Sequence, residues 1–250
     1  MERYGLIGYP LTHSFSAEYF SEKFFREGII NCRYDLFPID SIDNLLQLIK
    51  ETKELKGLSV TIPYKQKIIP LLTSIDDVAK NIGSVNTIII ERNENIFLHG
   101  FNTDVFGFKE SLKPLLKNHH KKALILGTGG AASSVAYVLN KLGIEYLFVS
   151  RTKTWLPNTI DYSSLNEDII STHNLIINAT PVGMFPHIMN LPNIPYNYIT
   201  KDHLLYDLIY NPSETLFLKK GIEKGVTVKN GMEMLYLQAE KSWEIWNKSI

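Results

Sequence analysis

A buried strand that runs into a glycine turn and then directly into a helix constrains this chain more than any other feature. Leu124-Ile125-Leu126 is an apolar run of strand length, Gly127-Thr128-Gly129-Gly130-Ala131-Ala132 has the form G-x-G-x-x-A, and residues 131–142 carry helical periodicity. Each small residue has a mechanical purpose in such a turn. The first glycine allows the tight bend, the second lets backbone approach a pyrophosphate, and a small residue at the third position lets the helix lie close on the sheet. The helix N-terminus then directs free N–H groups and the positive end of a dipole at the phosphates. The lysine and Ser/Thr of a Walker loop are missing. A glycine turn can also do no more than join a strand to a helix. What favours a dinucleotide site at Gly127, Thr128, Gly129, Gly130 and Ala131 is the clear strand before it and the clear helix after it.

The elements on either side alternate. Strands are predicted at residues 4–8, 32–37, 58–62, 123–126, 146–149, 175–177, 204–206 and 226–228. Helices are predicted from Ser16, as N-cap, to Gly28, then over 43–53, from Thr103 toward Leu116, and over 131–142, 215–224 and 232–246. Residues 85–99 read as a hairpin and 180–201 as a loop. Strands separated by helices indicate an α/β chain with a parallel, doubly wound sheet. With 250 residues, against about 150 per average domain, one or two domains are expected.

Composition excludes several classes. Hydrophobic residues at 44% and charged residues at 21% rule out a disordered chain. Twenty-six basic and 26 acidic residues give zero net charge, a poor basis for binding nucleic acid, and none is expected as a partner. Cys32 is the single cysteine, so no internal disulfide and no cysteine zinc site can form, which fits a reducing compartment. No apolar run approaches the roughly 18 residues of a membrane span. With no targeting segment in the sequence, a cytoplasmic location is expected. The histidines show no metal-binding spacing, so no metal is expected.

The end of the second strand of the glycine-turn unit indicates which dinucleotide. An acid there commonly takes the ribose 2′-hydroxyl of NAD. This chain has Ser150-Arg151-Thr152-Lys153 instead. An arginine can pair bidentately with a 2′-phosphate that an acid would repel, which favours NADP(H). The same tetrapeptide also reads as a solvated basic turn.

A wider pattern then emerges. Ser14-Phe15-Ser16, Val60-Thr61-Ile62-Pro63-Tyr64-Lys65, Val85-Asn86-Thr87 and Asn102-Thr103-Asp104 precede the glycine turn, and Asn178-Ala179-Thr180, Gly231 and Gln238 follow it. This ordered set, spanning nearly the whole chain, resembles the shikimate dehydrogenase family. The resemblance implies an N-terminal α/β substrate domain over residues 1–103 completed by 233–250, and a Rossmann-type domain over 104–232, with the active site in the cleft between them. It implies reduction of 3-dehydroshikimate to shikimate with NADPH, on the route to chorismate and aromatic amino acids, by a monomer or homodimer. It assigns Lys65 and Asp104 as the catalytic pair and Ser14, Ser16, Thr61, Asn86, Tyr210 and Gln238 to the substrate. To the cofactor it assigns Gly127 to Ala131, Ser150 to Lys153, Thr180, Leu208 and Gly231. The alternatives are an NAD-dependent quinate/shikimate dehydrogenase and a non-catalytic sensor of shikimate-type ligands.

The chemistry suits those residue types. Hydride delivery to a carbonyl carbon leaves charge on the oxygen, which Lys65 can stabilise and protonate while Asp104 holds the ammonium. Hydroxyls of Ser14, Ser16 and Thr61 match the oxygens of a small polar acid. Taken singly, each residue has an ordinary reading: Lys65 as a surface lysine, Asp104 as a helix cap, Ser14 and Ser16 as caps or turn formers, Tyr210 as part of a turn at Asn211-Pro212. The chain also departs from the family's usual residues. Ser59 stands where Asn is common, Ala17 where Pro is, Val105 where Gly is, Ser133 where a basic residue is, and Trp155 where a second arginine is.

Overall fold

The computed structural model describes residues 1–11, 14–152 and 156–248. His13, Lys153 and Trp155 lie outside the described residues. The chain divides into two units, one of residues 1–103 with the chain from Ala239 onward, the other of residues 104–238.

In the first unit, β1 (Glu2–Gly8), α1 (Phe15–Arg26), β2 (Cys32–Pro38), α2 (Leu45–Glu51), β3 (Leu55–Val60), α3 (Tyr64–Lys67), β4 (Ser74–Ile75), α4 (Asp77–Ile82), β5 (Thr87–Arg92) and β6 (Ile96–Phe101) follow in sequence. The sheet order is β2-β1-β3-β5-β6-β4. β1 pairs parallel with β2 and β3, β3 and β6 each pair antiparallel with β5, and β5–β6 is the expected hairpin, closed at Arg92 and Ile96. Side chains alternate across it. Ile7, Leu58, Val60, Ile88 and Ile90 build one core with α2 and α3. Tyr4, Leu6, Tyr34 and Ile89 build the other with Phe20 and Phe24 of α1 and with Ala239 and Trp246. Gly57 leaves room for the Trp246 indole, which a Cβ would strike, and that indole N–H donates to the Ile88 carbonyl at 3.0 Å.

The second unit contains α5 (Asp104–Leu112), β7 (Lys122–Leu126), α6 (Gly130–Lys141), β8 (Glu145–Ser150), β9 (Thr159–Asp161), α7 (Glu167–Thr172), β10 (Leu175–Asn178), β11 (Leu204–Asp207), α8 (Leu216–Ile222), β12 (Thr227–Lys229) and the first part of α9 (Met232–Trp246). Its sheet, β12-β11-β10-β7-β8-β9, is parallel throughout. The central strands are apolar on both sides because helices cover both faces. Ala123, Ile125, Ile177 and Tyr206 face Phe108 of α5 and Val135 of α6. Leu124, Leu126, Ile176 and Leu205 face Ile170 of α7 and Phe217 of α8. The doubly wound expectation therefore describes this unit, whereas the first unit mixes parallel and antiparallel strands.

Several local expectations change. The α1 N-cap is Ser14, not Ser16: Ser14 has extended backbone and its carbonyl accepts from Ala17 N–H at 3.2 Å, so Ser16 already lies inside the helix. Strand β3 starts at Leu55 and ends at Val60, leaving Thr61 just past the strand. Helix α5 ends at Leu112 and gives way to a 3₁₀ turn containing Pro114, which cannot continue the α-helical ladder. The unit division falls in the middle of α9, between Gln238 and Ala239, and not at its first residue, at 232/233. Met234 joins the core of the second unit and Ala239 and Trp246 that of the first, so the helix serves both. No helix among the described residues is long and apolar enough to cross a membrane.

Candidate active site

The glycine turn is built as its sequence requires. Gly127 has φ +105°, and a Cβ there would lie 2.9 Å from Thr180 Cγ2, so conformation and space both demand glycine. Its N–H donates to the Val149 carbonyl at 2.8 Å, which ties the turn to β8. Gly129 occupies the N-cap position of α6, and no side chain caps that helix. A Cβ on Gly129 would meet nothing within 4 Å. No side chain takes the first-turn N–H groups, the positive helix end lies behind them, and a pyrophosphate fits that cradle. Ala132 and Ser134 are fully buried where α6 meets the sheet.

β8 ends at Ser150, which is buried, and Arg151 and Thr152 beyond it are exposed. Thr152 N–H donates to Ser150 Oγ at 3.3 Å. Burial raises the Tyr162 phenol above its ordinary range and the nearby Arg151 guanidinium opposes that rise, so the arginine charge lies close to the ring. An exposed arginine at the end of the second strand fits a 2′-phosphate.

Past the glycine turn, a buried network fixes the ends of β10 and β11. Thr180 donates to Asn178 Oδ1 through its N–H at 3.1 Å and its hydroxyl at 2.6 Å. Asn178 Nδ2 donates to Asp207 Oδ1 at 3.0 Å. Asp207 also accepts from Ile209 N–H at 3.0 Å and from the Thr215 hydroxyl at 2.6 Å. Burial pushes the Asp207 carboxyl up to about 6, with the Thr215, Ile209 and Asn178 donors working against the rise. Leu208 N–H donates to the Asn178 carbonyl at 3.0 Å, and Gly231 N–H to the Ile209 carbonyl at 3.0 Å. A Cβ on Gly231 would strike the Leu208 carbonyl, so Leu208 and Gly231 are held together by backbone contact, and both Leu208 and Thr180 bond to Asn178. The sequence assigns no site role to Asn178, Asp207 and Thr215, whose side chains organise this edge. The available signal was a polar side chain at the end of each of two apolar strands. Tyr210 is half-buried just beyond β11, and Gln238, also half-buried, donates to the Leu235 carbonyl at 2.9 Å.

In the first unit the expected substrate residues gather at the carboxyl ends of β1 and β3. Ser14 and Ser16 open α1. Thr61 follows β3, and its N–H donates to the Ile7 carbonyl at 3.0 Å. Lys65 is half-buried in α3, where the Tyr64 hydroxyl donates to the Ile39 carbonyl at 2.6 Å and anchors the turn. The Lys65 carbonyl accepts from Val85 N–H at 2.8 Å. Asn86 is buried, its Nδ2 donating to Thr103 Oγ1 at 3.0 Å and its Oδ1 accepting from Thr103 N–H at 2.8 Å. The Thr87, Thr103 and Ser242 hydroxyls complete this network, with Ser242 Oγ 2.8 Å from Thr87 Oγ1 and 3.1 Å from Thr103 Oγ1. Asp104 follows Thr103 directly, is buried, and is the first residue of α5 in the second unit. Ser14, Ser16, Thr61, Lys65 and Asn86 thus belong to one unit, and Asp104, Tyr210, Gln238 and the cofactor residues to the other. A groove of about 630 Å³, lined by Lys122, Glu145 and His173, lies at the amino ends of β7 and β8, opposite the glycine turn. Among the described residues no cluster of three or more His, Cys, Asp or Glu could hold a metal.

Known proteins share this build. Residues 6–88 match the shikimate dehydrogenase substrate binding domain. The chain is 36% identical to the NADP(+) shikimate dehydrogenase of Carboxydothermus hydrogenoformans over 97% of its own length and 90% of that protein's. Among solved structures, shikimate dehydrogenase from Aquifex aeolicus superposes with a TM-score of 0.86 at 36% identity, covering 99% of this chain and 92% of the other. Shikimate 5-dehydrogenase from Thermus thermophilus, in complex with NADP(H) and shikimate, superposes with a TM-score of 0.84 at 28% identity, covering 99% and 94%. Fold and site define a dinucleotide-dependent oxidoreductase of α/β architecture, with a substrate domain and a Rossmann-type domain. The chain belongs to the shikimate dehydrogenase family.

Proposed function

We infer that this chain is an NADP-dependent shikimate 3-dehydrogenase, which reversibly reduces 3-dehydroshikimate to shikimate in the synthesis of chorismate and the aromatic amino acids. The observation that carries this reading is the near-full-length relationship to NADP(+) shikimate dehydrogenases. When bound, NADPH supplies the hydride. Lys65 acts as the proton donor to the carbonyl oxygen, and Asp104 is the carboxylate that orients its ammonium. Ser14 and Ser16 take the substrate carboxylate, while Thr61, Asn86, Tyr210 and Gln238 take the remaining oxygens. Asn86 suits that role because the Thr103 contacts fix the orientation of its amide.

Gly127 to Ala131 hold the pyrophosphate, and Ser150 to Lys153, above all Arg151, hold the 2′-phosphate. Thr180, with Leu208 and Gly231, receives the nicotinamide end. The activity is placed in the cytoplasm and requires neither membrane nor nucleic acid, in keeping with a neutral chain carrying a single cysteine. Initial rates with shikimate and quinate, each with NADP⁺ and NAD⁺, test the reading. The highest kcat/KM is expected for shikimate with NADP⁺; equal or better rates for quinate with NAD⁺ would replace it with a quinate dehydrogenase.

A further inference from the structure

The hydroxyl of Tyr34 is buried and has no partner in hydrogen-bonding geometry. Such an atom normally costs free energy, because folding removes its water and returns nothing. Its surroundings give it a use. Tyr34 lies on β2 and its ring stacks on Phe20 of α1, centroids 4.6 Å apart. Ser16 is one helical turn before Phe20, on the same side of α1. Tyr34 shares a register level with Tyr4 and Gly57, and Ser59, two residues beyond Gly57 on β3, faces the same side of the sheet. The phenol oxygen therefore lies beside the hydroxyls of Ser59 and Ser16. Burial raises the phenol well above its ordinary range, so at neutral pH it keeps its proton and remains a donor.

We propose that Tyr34 is a positioning residue for the substrate carboxylate: when the anion binds, the phenol, which has no partner in the ligand-free protein, turns its proton to Ser16 Oγ so that the Ser16 proton points outward to the anion. A serine hydroxyl has one proton and two lone pairs. It donates to a carboxylate only when that proton points at the ligand, and a donor behind it both fixes and polarises it. Ser59, which is 8% exposed, supplies the third hydroxyl behind Tyr34. With substrate bound, the three hydroxyls would line up from Ser59 through Tyr34 to Ser16. This inference rests on the reading of Ser16 as a carboxylate ligand.

The test is steady-state kinetics in shikimate for the full chain and for Tyr34→Phe, Ser16→Ala and the double variant. Tyr34→Phe keeps the stacked ring and removes only the hydroxyl. Its KM for shikimate should rise about fivefold, the worth of one hydrogen bond, with kcat and the KM for NADP⁺ unchanged. The Tm of the ligand-free protein should not fall, because without substrate the hydroxyl makes no hydrogen bond that the variant would lose. In the Ser16→Ala background the Tyr34→Phe change should add nothing. The proposal is overturned if Ser16→Ala raises KM while Tyr34→Phe does not, or if Tyr34→Phe raises KM equally in both backgrounds. An unchanged KM for Ser16→Ala alone would instead refute the role of Ser16, and this inference with it.

Discussion

Replacing Asp207 by asparagine tests how the β10–β11 edge is held. Asp207 is fully buried, and its carboxyl sits at about 6 against an ordinary 3.8. The native state thus binds this proton more tightly than the unfolded chain does, between about pH 4 and pH 6. Stability from this group is fully present below the lower value and is lost as pH rises through the higher one. The rise from 3.8 to about 6 corresponds to about 3 kcal/mol, at about 1.36 kcal/mol per pK unit. Asn matches the shape and is neutral at every pH. Its oxygen keeps the acceptor role toward Asn178 Nδ2 and Ile209 N–H, and its amide donates to Thr215 Oγ1, which exchanges its donor role for an acceptor one. Urea unfolding of both proteins at pH 4, 5, 6 and 7 provides the assay. The stability of Asp207→Asn relative to the parent should increase from pH 4 to pH 7 by up to about 3 kcal/mol. A difference that stays constant across this range, or that shifts against the variant as pH rises, refutes the reasoning.

Two further outcomes concern the reaction. Lys65→Ala should lower kcat about 10²- to 10⁴-fold, the contribution of a positioned proton donor, with NADP⁺ affinity measured by fluorescence titration unchanged. Survival of turnover would place the donor elsewhere. Arg151→Ala should raise the KM for NADP⁺ about tenfold and leave that for NAD⁺ unchanged, since a charged hydrogen-bonded contact is lost only with the 2′-phosphate. An equal loss for both cofactors would show that Arg151 does not read that group.

The sequence discloses these features unevenly, for physical reasons. β7, its glycine turn and α6 are legible because each step has a local cause: a doubly buried strand, a positive-φ glycine, and a small residue at the helix–sheet contact. The hairpin of β5 and β6 is equally local. The short elements β4, α4, β9 and α7 escape notice because two- to six-residue segments carry too little periodicity. The α1 N-cap is not legible because Ser14 and Ser16 have the same side chain, and only the extended backbone at Ser14 separates them. The individual substrate residues each look ordinary; their order along the chain is what marks them. The Asn178–Asp207–Thr215 network stays hidden because its members are far apart in sequence and meet only when β10 and β11 pair. The Tyr34 hydroxyl is hidden in the same way, since β2 and β3 meet only through β1. Zero net charge is no obstacle to the two anionic ligands of the proposed reaction, which a helix N-terminus and single side chains such as Lys65 and Arg151 would meet locally.

The central claim is that this chain converts one ketone to one alcohol with one cofactor. Mixing the purified protein with 3-dehydroshikimate and NADPH, following the loss of absorbance of the reduced nicotinamide, and identifying the product by chromatography tests it most directly. The account predicts mole-for-mole conversion of NADPH and 3-dehydroshikimate into NADP⁺ and shikimate. Binding of both ligands by the folded protein with no oxidation of NADPH would contradict it and would identify a sensor in place of an enzyme.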